Sequence, residues 1–557
     1  MHDHLMRPFA SGPRGKLLVR GLLTAVLAGT TAIVLMPSGS AQSAPATLTT
    51  PPTESRPAAD AQAPQVAAAS TAAAVKLNNA HDVIANLWQW NWPSVSNECT
   101  TVLGPKGYGG VQVAPPQNSV TLDGTLGTPV HPWWEVYQPV DYTLRSRMGT
   151  QAEFKSMVAT CRKAGVKVYV DVVINHMARD GHASYGGATF NRYDYAGLYA
   201  AKDFHNYPDD CPVKPPAGPP ESAAAQVTID NFNDYRQVTK CELLALPDLR
   251  TESTYVRNTI AGYLNKLIGY GVSGFRVDAA KHVGQDDMQA IVDRLHRTAD
   301  GDKPYVAQEV FPGPGQLSMW AFRGQGSLLG FDFAYAIHDT FKSYDAAKTG
   351  NITNLKVFGE KSGLLPSNKT LVFIENHDTE RGDTTLSYRD GDTNLLANKF
   401  MLAYGYGRPT VYAGYKFEGL TNDSPPSNAK GIINNTDCAD GWACIDRDQG
   451  VANMVGWHNQ VGERAKVRNW YDDGVNLIAF SRDNRGWIAI NNHTTAKTHT
   501  FQTGLAKGTY CDITHGNFSK GACSGPTIKV NKQGEARVTV QGKDTVAFTV
   551  KDLVRRS

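Results

Sequence analysis

Three carboxylates occupy matching places along the middle of the chain: Asp278 in GFRVDAAKH (274–282), Glu309 in VAQEV (306–310) and Asp378 in FIENHD (373–378). Each follows a short apolar run. A fully buried parallel strand shows no polar alternation, and its polar side chains appear where it emerges at its C-terminal end. Carboxyl groups gathered at such a rim can divide acid–base work, one giving a proton while another stabilises positive charge. An isolated aspartate in this setting reads as a salt-bridged strand end; three in matching contexts read as a reactive site. A fourth segment, DVVINH (171–176), has the same form and ends on Asn175 and His176. Arg276 precedes Asp278 by two residues, so on an extended strand both side chains leave the same face. A guanidinium so placed is expected to keep the carboxyl ionised.

The elements that must position these groups follow from the intervening sequence. Residues 253–271 and 150–165 have helical period, the second closing on Gly165. Strand followed by helix, repeated from Asn78 to Asp472, predicts an α/β fold, a (β/α)₈ barrel with its active site at the C-terminal ends of the strands. A doubly wound sheet has the same rhythm and is the alternative. The rhythm breaks over 177–247, a polar insertion that includes PVKPPAGPPES (212–222). The barrel is thus expected in two parts, 78–176 and 248–472. From residue 473 onward, short alternating segments such as NLIAFSR, GWIAINN and EARVTVQG predict an all-β module over 473–557.

The 557 residues carry 55 basic and 52 acidic side chains, a net charge of +3, with no long basic block, so nucleic acid is not an expected partner. Basic residues Arg7, Arg14, Lys16 and Arg20 precede an apolar stretch from Leu22 to Met36 and small residues around Gly39 and Ala41. This is the pattern of a secretory signal peptide over 1–41, with cleavage after Ala41 or Ala44. A membrane anchor is the rival, but the stretch falls short of a span of ~20 residues. Residues 42–77, rich in Ala, Pro and Thr, cannot bury enough surface to fold and are expected to be a disordered leader. The protein should therefore be secreted, with no membrane association after cleavage. Eight cysteines in an exported chain imply disulfides, and the short loops 438–444 and 511–523 suggest Cys438 with Cys444 and Cys511 with Cys523. No Cys-x-x-Cys spacing points to zinc.

These segments, with PKGYGGVQVAPP (105–116), PWWEVYQPVDY (132–142) and FMLAYGYG (400–407), resemble the α-amylases of glycoside hydrolase family 13, in particular the animal-type branch. The resemblance runs from about Asn86 to near the C-terminus. It implies hydrolysis of α-1,4-glucosidic bonds within starch and related glucans, with retention of configuration, by a monomer. Asp278 matches the nucleophile, Glu309 the general acid and base, and Asp378 the third carboxylate, which binds sugar hydroxyls. His176, His377, Arg276, Lys281 and His282 match substrate contacts, and Trp133, Trp134 and Tyr137 a sugar-stacking platform, for which flat rings suit the apolar faces of sugars. The resemblance also implies a domain B in the insertion, an antiparallel domain C at the C-terminus, and disulfides Cys99–Cys161 and Cys211–Cys241. A starch-binding module is the alternative at the C-terminus.

A structural Ca²⁺ is implied as well, with Asn175 and Asp248 as side-chain ligands and the backbone carbonyls of Thr239 and His282 completing the set. Animal-type members bind an activating chloride through residues matching Arg276, Asn376 and a second basic residue. Thr410 stands at that last place, so chloride is expected not to be required. Arg408, two residues earlier, is the alternative cation. A glucanotransferase of the same superfamily and a non-catalytic glucan-binding barrel are the rival functions; the second would lack catalytic carboxylates, and all three are present.

Overall fold

The structure, a computed structural model, describes residues 81–125, 128–179, 181–195, 197–215, 227–342, 350–419 and 422–555. The signal peptide and leader expected over 1–41 and 42–77 lie outside the described residues.

Eight parallel strands close into a barrel, which excludes the doubly wound alternative. They are β1 (Ile84–Leu87), β2 (Gly110–Val113), β3 (Lys167–Val172), β4 (Gly274–Val277), β5 (Tyr305–Gln308), β6 (Ser327–Leu329), β7 (Thr370–Phe373) and β8 (Arg408–Ala413). Each pairs with its sequence neighbours, and β1 closes the ring on β8, with Ile84 opposite Thr410. The helices that follow them are α1 (Trp92–Glu98), α2 (Gln151–Lys163), α3 (Thr254–Gly269), α4 (Gln285–Val292), the short α5 (Met319–Phe322), α6 (Phe331–Phe341), α7 (Asp392–Tyr404) and α8 (Gln449–Val461).

Local sequence explains these elements. Thr150 and Glu153 form a reciprocal capping box at the start of α2, and Arg162 and Lys163 lie in its last turn, where positive charge suits the helix dipole. Gly165, at φ +84°, then adopts the left-handed conformation that ends the helix. In α3 the residues Val256, Ile260, Tyr263, Leu264, Leu267 and Ile268 form one buried stripe against the strands. Gly274 is fixed by space, since a Cβ there would lie 2.2 Å from the Tyr305 carbonyl oxygen on β5.

The insertion leaves the barrel after β3 and returns before α3. Cys211–Cys241 closes it on itself, and Cys99–Cys161 ties the end of α1 to α2. Cys438–Cys444 and Cys511–Cys523 complete four disulfides, all as the sequence and its resemblance implied. The C-terminal region is antiparallel throughout, as expected. A four-stranded sheet joins β9 (Val467–Asp472), β10 (Leu477–Arg482) and β11 (Gly486–Asn491) to β12 (Asp544–Thr549), with three further two-stranded pairs. Its first strand begins before residue 473, because Val467–Asp472 is a half-exposed edge with little apolar alternation to mark it. The sheet rests on the barrel through Trp457 of α8, whose indole N–H donates to the Phe548 carbonyl at 3.2 Å. Buried Arg482 donates to the carbonyl of Ala403 at 2.6 Å.

Candidate functional site

Arg276 is the hub of the barrel mouth. Its side chain is 2% exposed and reaches carboxylates on three successive strands. Nη1 donates to both oxygens of Asp171, at 2.8 and 3.0 Å, and to Oδ1 of Asp278 at 2.7 Å, while Nη2 donates to Oε1 of Glu309 at 2.6 Å. The same-face placement expected for Arg276 and Asp278 holds. The backbone bends sharply after Asp278, where Ala279 sits in the left-handed region at φ +47°, a strained position for a residue with a Cβ. That bend turns the Ala279 N–H onto Oε2 of Glu309 at 2.9 Å. Strain at this residue therefore orients a carboxyl group.

One guanidinium does not hold so many carboxyls fully ionised. Burial raises Asp278 above its ordinary value, with Arg276 opposing. Burial raises Glu309 too; Arg276 opposes it, and the negative charge of Asp278 adds to the rise. Asp171 is pushed up to about 7 by burial against the pull of Arg276. The expectation that Arg276 keeps Asp278 ionised is thus only half of the balance: the cation is divided among three partners, and desolvation works against it.

Asp378 stands beyond β7 on a turn built by Asn376, whose Oδ1 accepts the N–H groups of Asp378 and Thr379 at 3.0 and 2.9 Å. Its side chain is 34% exposed, so it faces the mouth, and partial desolvation together with the negative charge of Glu309 raises it above its ordinary value. Beside it, His377 lies in a stack of rings, 4.7 Å from Trp88 and 5.1 Å from Tyr137 between centroids. Burial, reinforced by Arg276 and Arg381, keeps this imidazole neutral. The Tyr137 hydroxyl donates to Asp171 and accepts from the Trp88 indole, both at 3.0 Å. His176 Nε2 lies 3.0 Å from the Tyr137 carbonyl oxygen. Trp133 and Trp134 remain partly exposed on the same wall. On the opposite side Lys281 follows the Ala279 bend, its N–H 3.3 Å from the Glu309 carbonyl, and Phe311 beyond Glu309 is 39% exposed.

The residues matched to calcium come together in two pairs. Asn175 Nδ2 is 3.0 Å from Oδ1 of Asp248, and both residues are buried. His282 Nδ1 bonds the Val238 carbonyl at 2.9 Å, which brings the His282 backbone beside Thr239. Burial pushes Asp248 up to about 6 despite His205, whose Nδ1 is 2.6 Å away. His205 also belongs to a group with Asp210 and Glu252 whose ligand atoms lie within 4.8 Å of one another. Arg250 and Lys240 already pair with those two carboxylates.

Behind Arg276 a small cavity is lined by Asn86, Gln112, Asn376, His377 and Thr410. The Thr410 hydroxyl is buried and makes no hydrogen bond among the described residues. Arg408 does not approach it: the guanidinium lies over the Tyr305 ring at 4.3 Å, at the strand starts.

Sequence reasoning gave no role to Asp171, Trp88, His205 or Arg381. Only Asp171 carried a visible signal, a carboxylate inside an otherwise apolar strand.

Residues 128–492 match the alpha amylase catalytic domain, and residues 468–551 the alpha amylase C-terminal all-beta domain. The chain is 42% identical over 492 residues to an alpha-amylase of Thermomonospora curvata, covering 87% of this chain and 75% of that protein. It is 36% identical over 488 residues to the pancreatic alpha-amylase of Sus scrofa, covering 82% and 91%. Among solved structures, alpha-amylase I of Eisenia fetida, crystallised as a mutant with maltohexaose, superposes with a TM-score of 0.77 at 33% identity, covering 85% of this chain and 98% of that one. The chain belongs to the α-amylase family of glycoside hydrolases, family 13, the starch-hydrolysing enzymes that typically bind calcium.

Proposed function

We propose that this hydrolase cuts internal α-1,4-glucosidic bonds of starch with retention, using Asp278 as nucleophile and Glu309 as acid and base. The observation that carries this reading is the single guanidinium that joins Asp278 and Glu309. Two carboxyls bonded to the two Nη atoms of one guanidinium are neighbours, which favours the retaining arrangement, with carboxyl groups about 5 Å apart, over one with a water seated between them. Burial and then the negative charge of Asp278 raise Glu309, which suits it to hold a proton beside an ionised Asp278. Glu309 then gives that proton to the glycosidic oxygen as Asp278 attacks the anomeric carbon and the leaving glucan departs. Glu309, now ionised, takes a proton from water, whose oxygen displaces Asp278 and restores both groups.

Asp378 and His377 suit contacts to the hydroxyls of the sugar being cleaved, with His176 beside them, while Trp133, Trp134 and Tyr137 offer ring faces. Lys281 and His282 suit the leaving side. Asn175 and Asp248, with the Thr239 and His282 carbonyls, are hard oxygen donors around a buried carboxylate and fit Ca²⁺. When bound, the ion supplies charge compensation and ties the 177–247 insertion, read as domain B, to the barrel. The second cation is missing among the described lining residues, since Thr410 brings no charge and Arg408 lies elsewhere, so activity without chloride is inferred. Export is supported by the four disulfides.

Digestion of soluble starch tests the reading. Rapid loss of iodine colour with slow release of reducing ends is expected. Transfer to added maltose in preference to water would favour a glucanotransferase, and absence of any cleavage a binding protein.

A further inference from the structure

Arg381, three residues beyond Asp378, is 8% exposed, yet its Nε and Nη1 meet no hydrogen-bond acceptor among the described residues. Ring faces take their place. The guanidinium carbon lies 4.0 Å from the Phe417 centroid and 4.7 Å from that of Trp133, with Trp88 and Tyr415 at 5.5 and 5.7 Å. A desolvated guanidinium over aromatic faces is strongly attracted to them, and its plane matches theirs. Nη2 is anchored by the Tyr415 hydroxyl at 2.9 Å and lies 3.6 Å from the Asp423 carboxylate. Asp423 in turn accepts the Trp133 N–H on its backbone carbonyl at 2.9 Å, and Gln89 donates to the Trp133 carbonyl at 2.7 Å. The Trp133 main chain and one face of its indole are therefore fixed by a single cluster centred on Arg381.

We propose that Arg381 is a positioning residue, a cation set between Trp133 and Phe417 that fixes the plane of the Trp133 indole on the sugar-binding wall. The proposal rests on the reading of Trp133 as a sugar platform. Arg381 forms no ion pair with Asp278, Glu309 or Asp378 among the described residues; beyond its field on His377 and Asp378, it acts through the ring it caps. Because a stacking platform holds substrate and transition state alike, its misplacement raises KM with little change in kcat.

The test compares W133A, R381M, R381K and the double variant W133A/R381M in the full chain, with kcat and KM for maltoheptaose and a melting curve for each. W133A is expected to raise KM at least tenfold. R381M is expected to do the same while melting within a few degrees of wild type, and R381K to raise KM about threefold, since an ammonium keeps the charge but not the planar stacking. The double variant is expected to be no worse than W133A alone. An unchanged KM in W133A overturns the platform reading and the proposal with it. A raised KM in W133A with a wild-type KM in folded R381M overturns the proposal alone, as does a double variant in which the two effects multiply. If R381M does not fold, R381K decides, and a wild-type KM there overturns the proposal.

Discussion

Replacing Arg276 by methionine removes the only cation bonded to Asp171, Asp278 and Glu309 among the described residues, while keeping similar bulk. Breaking a buried ion pair from one side costs about 3–5 kcal/mol, because the remaining charge stays desolvated. The chain avoids that cost by keeping protons on its carboxyls. Burial already raises Asp278, and Arg276 is what opposes it. Without the guanidinium the Asp278 pKa is expected to rise further, because burial then acts unopposed. The nucleophile must be ionised, so the acidic limb of the kcat/KM profile should move to higher pH. Activity at neutral pH should then fall at least about tenfold, each tenfold being ~1.4 kcal/mol. A group whose folded pKa is raised gives stability below its ordinary value and loses it as pH rises through the raised one. R276M should therefore melt lower than wild type, and the gap should widen toward alkaline pH. The assay is kcat/KM on a chromogenic maltooligosaccharide from about pH 4 to 10 for wild type, R276K and R276M, with melting curves at each pH. A folded R276M with an unmoved acidic limb would refute the claim that this guanidinium lets Asp278 ionise.

If Asn175 and Asp248 hold Ca²⁺, chelation should lower the melting temperature, since a ligand at a hundredfold its Kd stabilises the native state by about 2.7 kcal/mol; D248A should start lower and respond less. Activity in acetate should be unchanged by added chloride at matched ionic strength, and a saturable several-fold activation would show that an anion site survives Thr410. Asp446 is fully buried beside Glu98, neither of its oxygens meets a hydrogen-bond donor among the described residues, and burial and Glu98 raise it well above 3.8. Its stability contribution is present below about pH 4 and lost as pH rises, so D446N should gain on wild type above that pH by up to ~1.4 kcal/mol per unit; a constant difference across pH would contradict the buried proton.

The barrel was legible because its strands are short, largely apolar runs that end in charged residues at the mouth, as at Asp278 and Glu309 directly after β4 and β5. Asp378 was less direct, since it follows β7 on a turn made by the Asn376 side chain. The charge balance was not legible. A two-residue spacing shows that Arg276 can reach Asp278, but not that β3 and β5 bring Asp171 and Glu309 to the same guanidinium. Trp88, His205 and Arg381 escaped for a related reason: their partners, such as His377, Asp248 and Phe417, come from distant segments, and neither periodicity nor a local motif marks them. The strand Val467–Asp472, just before the expected start of the all-β module at 473, was not legible because it is an exposed edge, where the alternation that identifies strands is weak.

The central claim is that Asp278 becomes covalently bonded to the sugar while Glu309 moves the proton. Incubation with 5-fluoro-α-maltosyl fluoride, whose ring fluorine slows release of the intermediate and whose fluoride leaves readily, followed by peptide mass mapping, tests it most directly. A maltosyl adduct on the peptide holding Asp278, absent in D278N, is the predicted result. A label on Asp171 or Asp378, or turnover of the reagent with no adduct and an inverted product, would contradict it.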